Sequence, residues 1–326
     1  MKLPVYNSFA EKAVHFSHIV IDTKDVLDTH IKELTENSPN CIFRGVNEAK
    51  YKLYTSVQRE WITNGLGRHI TINALVDSLI KEIRQTKVLN DYYTSLNICQ
   101  TDFIYLSLLQ HYSAPTPLLD FSHDFHIALY FATKDIHTGT TSNILDDYFS
   151  LYYIDLDKCG NELVRMDNLL NLGLNRGHEA YEESMKNDPL LYIDKSLLDD
   201  IDEFTQWNNP RNPGGGMCNL TLAFIDNPMN AQSVITPYTQ KQLYWSNLNI
   251  IAQQGCFLLY NNEDIPVETY IGGKNKYIPR IWCMDIHKSL EDYIHAHYLQ
   301  GLSTDTLFPD INRMAKSAYM HFKERL

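Results

Sequence analysis

Residues 110–122 read Gln110-His111-Tyr112-Ser113-Ala114-Pro115-Thr116-Pro117-Leu118-Leu119-Asp120-Phe121-Ser122. Hydrogen-bonding side chains crowd around a turn stiffened by two prolines, with an apolar segment on either side. Proline fixes φ and lacks an N–H, so a helix arriving from the N-terminal side must stop here. Leu118–Phe121 is short, apolar and strand-like. Ser122 can then cap a helix running to about Ile136, with Asp124 in its first turn. Such a passage holds polar side chains on a loop between scaffold elements, where sites usually lie. A plainer reading stays open: Gln110 and His111 finish one helix, and Asp120 and Ser122 start the next.

Outward from this segment the chain alternates helical and strand-like stretches. Asp22-Thr23 can cap a helix over Lys24–Leu34, where Val26, Leu27, Ile31 and Leu34 recur at helical spacing. Ser38-Pro39-Asn40 breaks it, and Cys41–Gly45 reads as a short buried strand. Helical periodicity covers about Asn73–Leu89 and Leu96–Gln110. Phe149–Leu156, Asn219–Ile225, Asn249–Tyr260 and Tyr277–Met284 are rich in aromatic and β-branched residues and read as strands. Helices are expected over Lys288–Leu299 and Ile311–Phe322. The expected fold is α+β, a single domain over 1–326 with a mixed central sheet and flanking helices. It divides into a helical lead-in 1–40, core segments 41–156 and 217–326, and a polar insertion or lid at 157–216.

Composition narrows the function. The chain has 326 residues, 44% of them hydrophobic, and 28 basic against 40 acidic residues give a net charge of −12. Phosphate backbones are gripped by clustered Lys and Arg, so nucleic acid is the less favoured partner. The N-terminal residues Met1–Glu11 lack a secretory pattern, and no run reaches the roughly 18 apolar residues of a membrane span. The six cysteines lie far apart with no Cys-x-x-Cys pair, which speaks against structural zinc and a disulfide framework. The expectation is a cytoplasmic protein with no membrane association and no metal.

Arg44, inside the apolar strand Cys41–Gly45, is costly to bury unless an anion or hydrogen-bond acceptor meets it. Its planar fork suits a carboxylate or a phosphate. A structural ion pair with Asp120 or a glutamate and a ligand contact are both open. His287, Glu291 and His295 share helical spacing, but i to i+8 spans about 12 Å, too far for one ion, so they read as a solvated face. Pro213–Gly216 and Gly272-Gly273-Lys274 lack the Gly-Lys-Ser/Thr of a phosphate loop, and Asp199–Glu203 reads as a solvated acidic run. Cys256, in an apolar strand, reads as a buried inert thiol.

These residues carry a resemblance. Phe43-Arg44-Gly45 and Tyr51–Arg59, with Thr55 where proline is usual, resemble motifs of the bacterial FRG-domain family. So does Gln110–Ser122 followed by Ala128-Leu129-Tyr130-Phe131-Ala132. Ile251–Phe257 and Leu302–Asp310 are similar to later family elements, in the same order. Ser113 stands where the family has glycine, Pro117 where it has arginine, and Phe121-Ser122 where it has Trp-Thr. A weaker likeness runs to arginine-type ADP-ribosyltransferases, in the order strand arginine, Asp-aromatic-Ser, Ala-x-x-Phe-Ala helix, late strand.

That likeness implies an ADP-ribosyltransferase-like fold and a nucleotide pocket taking NAD or ADP-ribose, with NAD as substrate. Arg44 and Arg59 would hold the phosphates, and Ser122 would brace the nicotinamide ribose. Gln110, His111, Thr116 and Asp120 would form the polar wall. Gln253 or Gln254 falls where those enzymes carry glutamate, so Gln254 would contact the ribose and Asp120 or His111 would serve as acid or base. An oxocarbenium-like transition state wants a carboxylate beside the ribose. The biology implied is an effector of the bacterial toxin or anti-phage type. The alternative is a non-catalytic module whose polar residues stiffen the fold while its surface binds a protein partner or nucleic acid.

Overall fold

The computed structural model describes residues 2–37, 40–96, 102–136, 143–155, 220–223, 248–260, 262–269 and 281–323. The expected insertion at 157–216, the two glycine turns and the acidic run at 199–203 lie outside them.

A seven-stranded mixed sheet carries the fold, in the order β1-β7-β4-β2-β3-β6-β5. The strands are β1 Ser17–Ile21, β2 Cys41–Val46, β3 Leu118–Ser122, β4 Tyr148–Asp155, β5 Leu220–Ala223, β6 Gly255–Tyr260 and β7 Trp282–His287. Only β1 and β7 run parallel; every other pair is antiparallel. β4 lies between β7 and β2, and all its residues but Tyr153 are buried. Its near-continuous apolar sequence fits a strand covered on both faces.

Eleven described helices flank the sheet: α1 Phe9–His15, α2 Lys24–Asn37, α3 Ser56–Thr63, α4 Ile72–Arg84, α5 Lys87–Ser95, α6 Asp102–His111, α7 Phe125–Thr133, α8 Leu248–Ala252, α9 Glu291–Tyr298, α10 Thr304–Leu307 and α11 Ile311–Lys323. α4 buries Ile72, Val76 and Ile80, one per turn, against Ile104, Tyr105 and Leu106 of α6. A second cluster packs α2, α7 and α9 over Phe43, Phe149 and Met284. A third joins Tyr6 and Phe16 to Tyr152, Leu119 and Tyr260.

Several local expectations are corrected. The lead-in is not wholly helical, because Ser17–Ile21 pairs with β7 as an edge strand. The Asn73–Leu89 helix is two helices, parted at Gln85-Thr86. Asn249–Tyr260 is not one strand: α8 ends at Ala252, Gln253-Gln254 turns with φ 44° at Gln254, and β6 begins at Gly255. The cap of α7 is Asp124, whose Oδ1 accepts from the His126 N–H at 2.8 Å, and the helix stops at Thr133. Ser122 acts one step earlier: its Oγ accepts from the Asp124 N–H (3.0 Å) and donates to the Gln253 carbonyl (2.7 Å). His287 is the last residue of β7 and caps the turn after it, so it shares no helix face with Glu291 and His295.

Candidate functional site

The sheet parts between β2 and β3. β2 pairs with β4 over six residues and β3 with β6 over five, yet β2 and β3 share one registered pair, Phe43 with Ser122. A cleft of about 750 Å³ opens along this split. Each residue of Phe43-Arg44-Gly45 has a separate task beside it. Phe43 packs into the core, edge-on to Phe125 at 6.2 Å. Arg44 lines the cleft. Gly45 lets α7 lie directly on β2, since a Cβ there would sit 2.5 Å from the Ala132 nitrogen and 2.9 Å from its Cβ.

Arg44 is not held by a tight ion pair. Its Nη1 donates to the Asp120 carbonyl oxygen at 2.7 Å, while the distance to the Asp120 carboxylate is 3.9 Å. Its Nε is buried and has no partner among the described residues. Burial pulls the guanidinium below its ordinary pKa, with Asp120 opposing. Arg59, on α3, donates Nη1 to the Tyr54 carbonyl at 2.8 Å. Burial of that guanidinium lowers its pKa, and the charge of Arg44 lowers it further. Two cations therefore crowd one carboxylate.

That carboxylate is aimed by a relay. Thr116 Oγ1 donates to Gln110 Oε1, which fixes the Gln110 amide so that its Nε2 donates to Asp120 Oδ2 at 2.6 Å. Thr116 is itself buried, pinned through its N–H to Ser56 Oγ at 2.9 Å. Asp120 Oδ1 is buried and has no partner among the described residues. His111 also lines the cleft; its ring stands edge-on to Phe257 at 5.5 Å, and its Nε2 has no partner among the described residues. Burial pushes its pKa down, so the imidazole is neutral near pH 7.

Arg44, Arg59, Gln110, His111, Asp120, Ser122 and Gln253 all line this one cleft. Thr116 lies behind the wall as a support. Gln254 stands apart: it is exposed and its Nε2 reaches Asp124 Oδ2 at 3.3 Å. The Gln253 amide is turned to the Leu307 carbonyl, 3.0 Å away.

Sequence reasoning missed the far wall. Lys52, Lys134, Phe131 and Phe308 line it, with Lys134 Nζ 5.2 Å from the Phe308 ring centroid. The Leu-Phe-Pro-Asp stretch at 307–310 was the available signal for Phe308. Ser113 has φ 66°, a left-handed conformation that favours glycine, which accounts for the family's preference there. Pro117 is buried at the head of β3 and does not line the cleft.

A second polar centre, also unforeseen, is structural in geometry. Lys12 on α1 is fully buried, and its Nζ donates to Asp285 Oδ1 (2.5 Å), Ser150 Oγ (3.0 Å) and the Ala49 carbonyl (2.9 Å). His18 Nε2 meets the other Asp285 oxygen at 2.7 Å. His18, Cys283 and Asp285 are the one group among the described residues close enough to share a metal ion. The Lys12 ammonium already provides the cation for Asp285. Cys256 is buried, and burial pushes its thiol well above its ordinary pKa.

Residues 39–141 match the family model of the FRG domain. The match takes in β2 through α7, so it contains both strands of the split and most of the cleft's polar wall. No curated protein and no solved structure matches the chain. No helix among the described residues is long and apolar enough to cross a membrane.

Proposed function

We propose that the cleft binds a phosphate-bearing nucleotide of the NAD or ADP-ribose type. The carrying observation is charge placed against the grain of the molecule. Four cations, Arg44, Lys52, Arg59 and Lys134, and two carboxylates, Asp120 and Asp135, line the cleft, giving 4 − 2 = +2 in a chain of net charge −12. Three residues of the cleft lining each carry a buried polar atom with no partner among the described residues: Arg44 Nε, His111 Nε2 and Asp120 Oδ1. Buried polar groups are nearly always satisfied, so three orphans around one cleft fit a ligand that satisfies them. Guanidinium forks suit phosphate oxygens. The Phe131 and Phe308 rings offer apolar surface for a base or nicotinamide.

The same arrangement supports an ADP-ribosyltransferase-like reading. The bond between nicotinamide and ribose C1′ would break, an acceptor nucleophile would bond to C1′, and nicotinamide would leave as the neutral base. Asp120, held by Gln110 with one oxygen free, is the carboxylate placed to stabilise positive charge at the ribose. Neutral His111 is placed to take the acceptor's proton. Gln254 has no part in this reading, and Gln253 serves through its backbone. An effector of the toxin or anti-phage type is the biology such a transferase would serve.

The test is isothermal titration of the full chain with NAD, ADP-ribose and nicotinamide, repeated on Arg59→Ala. NAD or ADP-ribose should bind and nicotinamide alone should bind far more weakly. Arg59→Ala should weaken binding by roughly tenfold or more, the loss of a charge-assisted contact. Wild-type protein that binds none of the three overturns the proposal.

A further inference from the structure

Gln253 joins two parts of the cleft that the sequence keeps far apart. Its carbonyl accepts from Ser122 Oγ at 2.7 Å, on the strand that also carries Asp120. Its side chain reaches the other way, and Nε2 donates to the Leu307 carbonyl at 3.0 Å in a buried hydrogen bond. Leu307 ends α10, a helix of four residues closed by a capping box between Ser303 and Thr306. One turn of helix is not stable by itself in water, so its place depends on what it is fastened to. The Gln253 amide satisfies the last carbonyl of that turn, and at its first residue the Thr304 hydroxyl meets that of Tyr130 at 2.9 Å.

The next residue is Phe308. Its ring stands at 87° to that of Phe131, with centroids 5.9 Å apart, and Lys134 Nζ lies 5.2 Å from its centroid. Phe131, Lys134 and Phe308 all line the cleft. Two rings at a right angle make an apolar corner, where a planar base stacks on one ring and meets the edge of the other. The ammonium beside it suits the phosphate that follows such a base. This corner stands apart from the arginines. Asn47 Nδ2 is 3.5 Å from the Lys134 carbonyl, and Asn47 lies three residues beyond Arg44, roughly 10 Å along an extended chain. We propose that the corner is the adenine subsite of the cleft and that Gln253 is its positioning residue, holding Phe308 in place through Leu307. The proposal rests on the nucleotide reading, in which the arginines take the phosphates and Asp120 faces the nicotinamide ribose, so that adenine is the group left for the corner.

Isothermal titration of the full chain with ADP-ribose and with inorganic pyrophosphate tests this, with far-UV circular dichroism confirming that each variant is folded. Phe308→Ala should weaken ADP-ribose by roughly tenfold or more, the loss of one base–aromatic stack, and leave pyrophosphate within about twofold. Phe308→Trp should keep ADP-ribose affinity. Gln253→Met, close in size and without the donor, should lower affinity for ADP-ribose in the same selective way. ADP-ribose binding unchanged by Phe308→Ala overturns the adenine subsite, as does a loss equal for both ligands or one that Phe308→Trp fails to recover. ADP-ribose binding indifferent to Gln253→Met overturns the positioning role. These failures leave the nucleotide reading standing, whereas a wild type that binds neither ligand removes that reading and the subsite with it.

Discussion

Replacing Gly45 by alanine tests the packing logic of the Phe-Arg-Gly stretch most directly. A Cβ at this position would meet the Ala132 nitrogen at 2.5 Å, where ordinary contact begins at 3.4 Å, and would press on the Ala128 carbonyl as well. Both are backbone atoms of α7, so no side-chain rotation relieves the clash. The helix must retreat by 3.4 − 2.5 = 0.9 Å at the least. It carries Ala128, Leu129 and Ala132 in the core, which would all lose contact with β2 and β4. Overpacking costs about 1–3 kcal/mol, and a clash with rigid backbone belongs at the top of that range, about 3 kcal/mol. That is a large part of the 5–15 kcal/mol typical of a domain. Urea unfolding followed by circular dichroism should show a lower midpoint with an unchanged slope. Ala128 and Phe131 also line the cleft, so nucleotide binding should weaken in parallel. A variant within about 0.5 kcal/mol of wild type would refute the claim that this glycine exists for close approach.

Lys12→Ala leaves Asp285 buried without its cation and should cost about 3–5 kcal/mol by the same unfolding measurement. Lys12→Met together with Asp285→Leu should be far milder, because no lone charge remains. His111, whose pKa burial depresses, is protonated more readily in the unfolded chain, so stability should fall as pH drops below about 6.5. His111→Gln should flatten that slope between pH 7.5 and 5.5 in thermal unfolding. Asp120→Asn keeps the Gln110 hydrogen bond and removes a negative charge, so the cleft should bind ADP-ribose more tightly in titration while nicotinamide release from NAD is abolished. Ser113→Gly relieves a left-handed φ and should raise stability by about 1 kcal/mol in urea unfolding.

The local signals that survived were those tied to short-range chemistry. Cys41–Val46 and Leu118–Ser122 were readable because apolar strands end at clear breaks. Thr55, where the family favours proline, is the cap of α3 and closes a box with Gln58, whose N–H donates to its Oγ1 at 3.3 Å. β1 was missed because Ser17-His18-Ile19-Val20-Ile21 is an edge strand that pairs only with β7, far away in sequence. The turn at Gln253-Gln254 was missed because Asn249–Tyr260 is apolar on both sides of it, and length alone cannot separate a short helix from a strand. Gln110, His111, Asp120 and Ser122 line one cleft because the last turn of α6, the double-proline loop and β3 follow one another directly in the chain. Lys134 could not be placed beside them without the fold, and Lys52 and Phe308 were marked only by the Tyr51–Arg59 and Leu-Phe-Pro-Asp stretches, which do not say what they face.

The single registered pair between β2 and β3 gives Arg44 a second employment. Where the sheet lacks rungs, the Arg44 guanidinium spans the gap and hydrogen-bonds the Asp120 carbonyl, taking the place of a missing backbone rung. One side chain thus belongs both to the sheet's architecture and to the lining of its cleft. Any anion that draws the guanidinium toward itself loosens the suture between the β1-β7-β4-β2 half and the β3-β6-β5 half. An anion that bridges Arg44 and Arg59 tightens it. Amide hydrogen exchange along β2 and β3 would therefore register occupancy of the cleft, and the sign of the change would tell which of the two a ligand does.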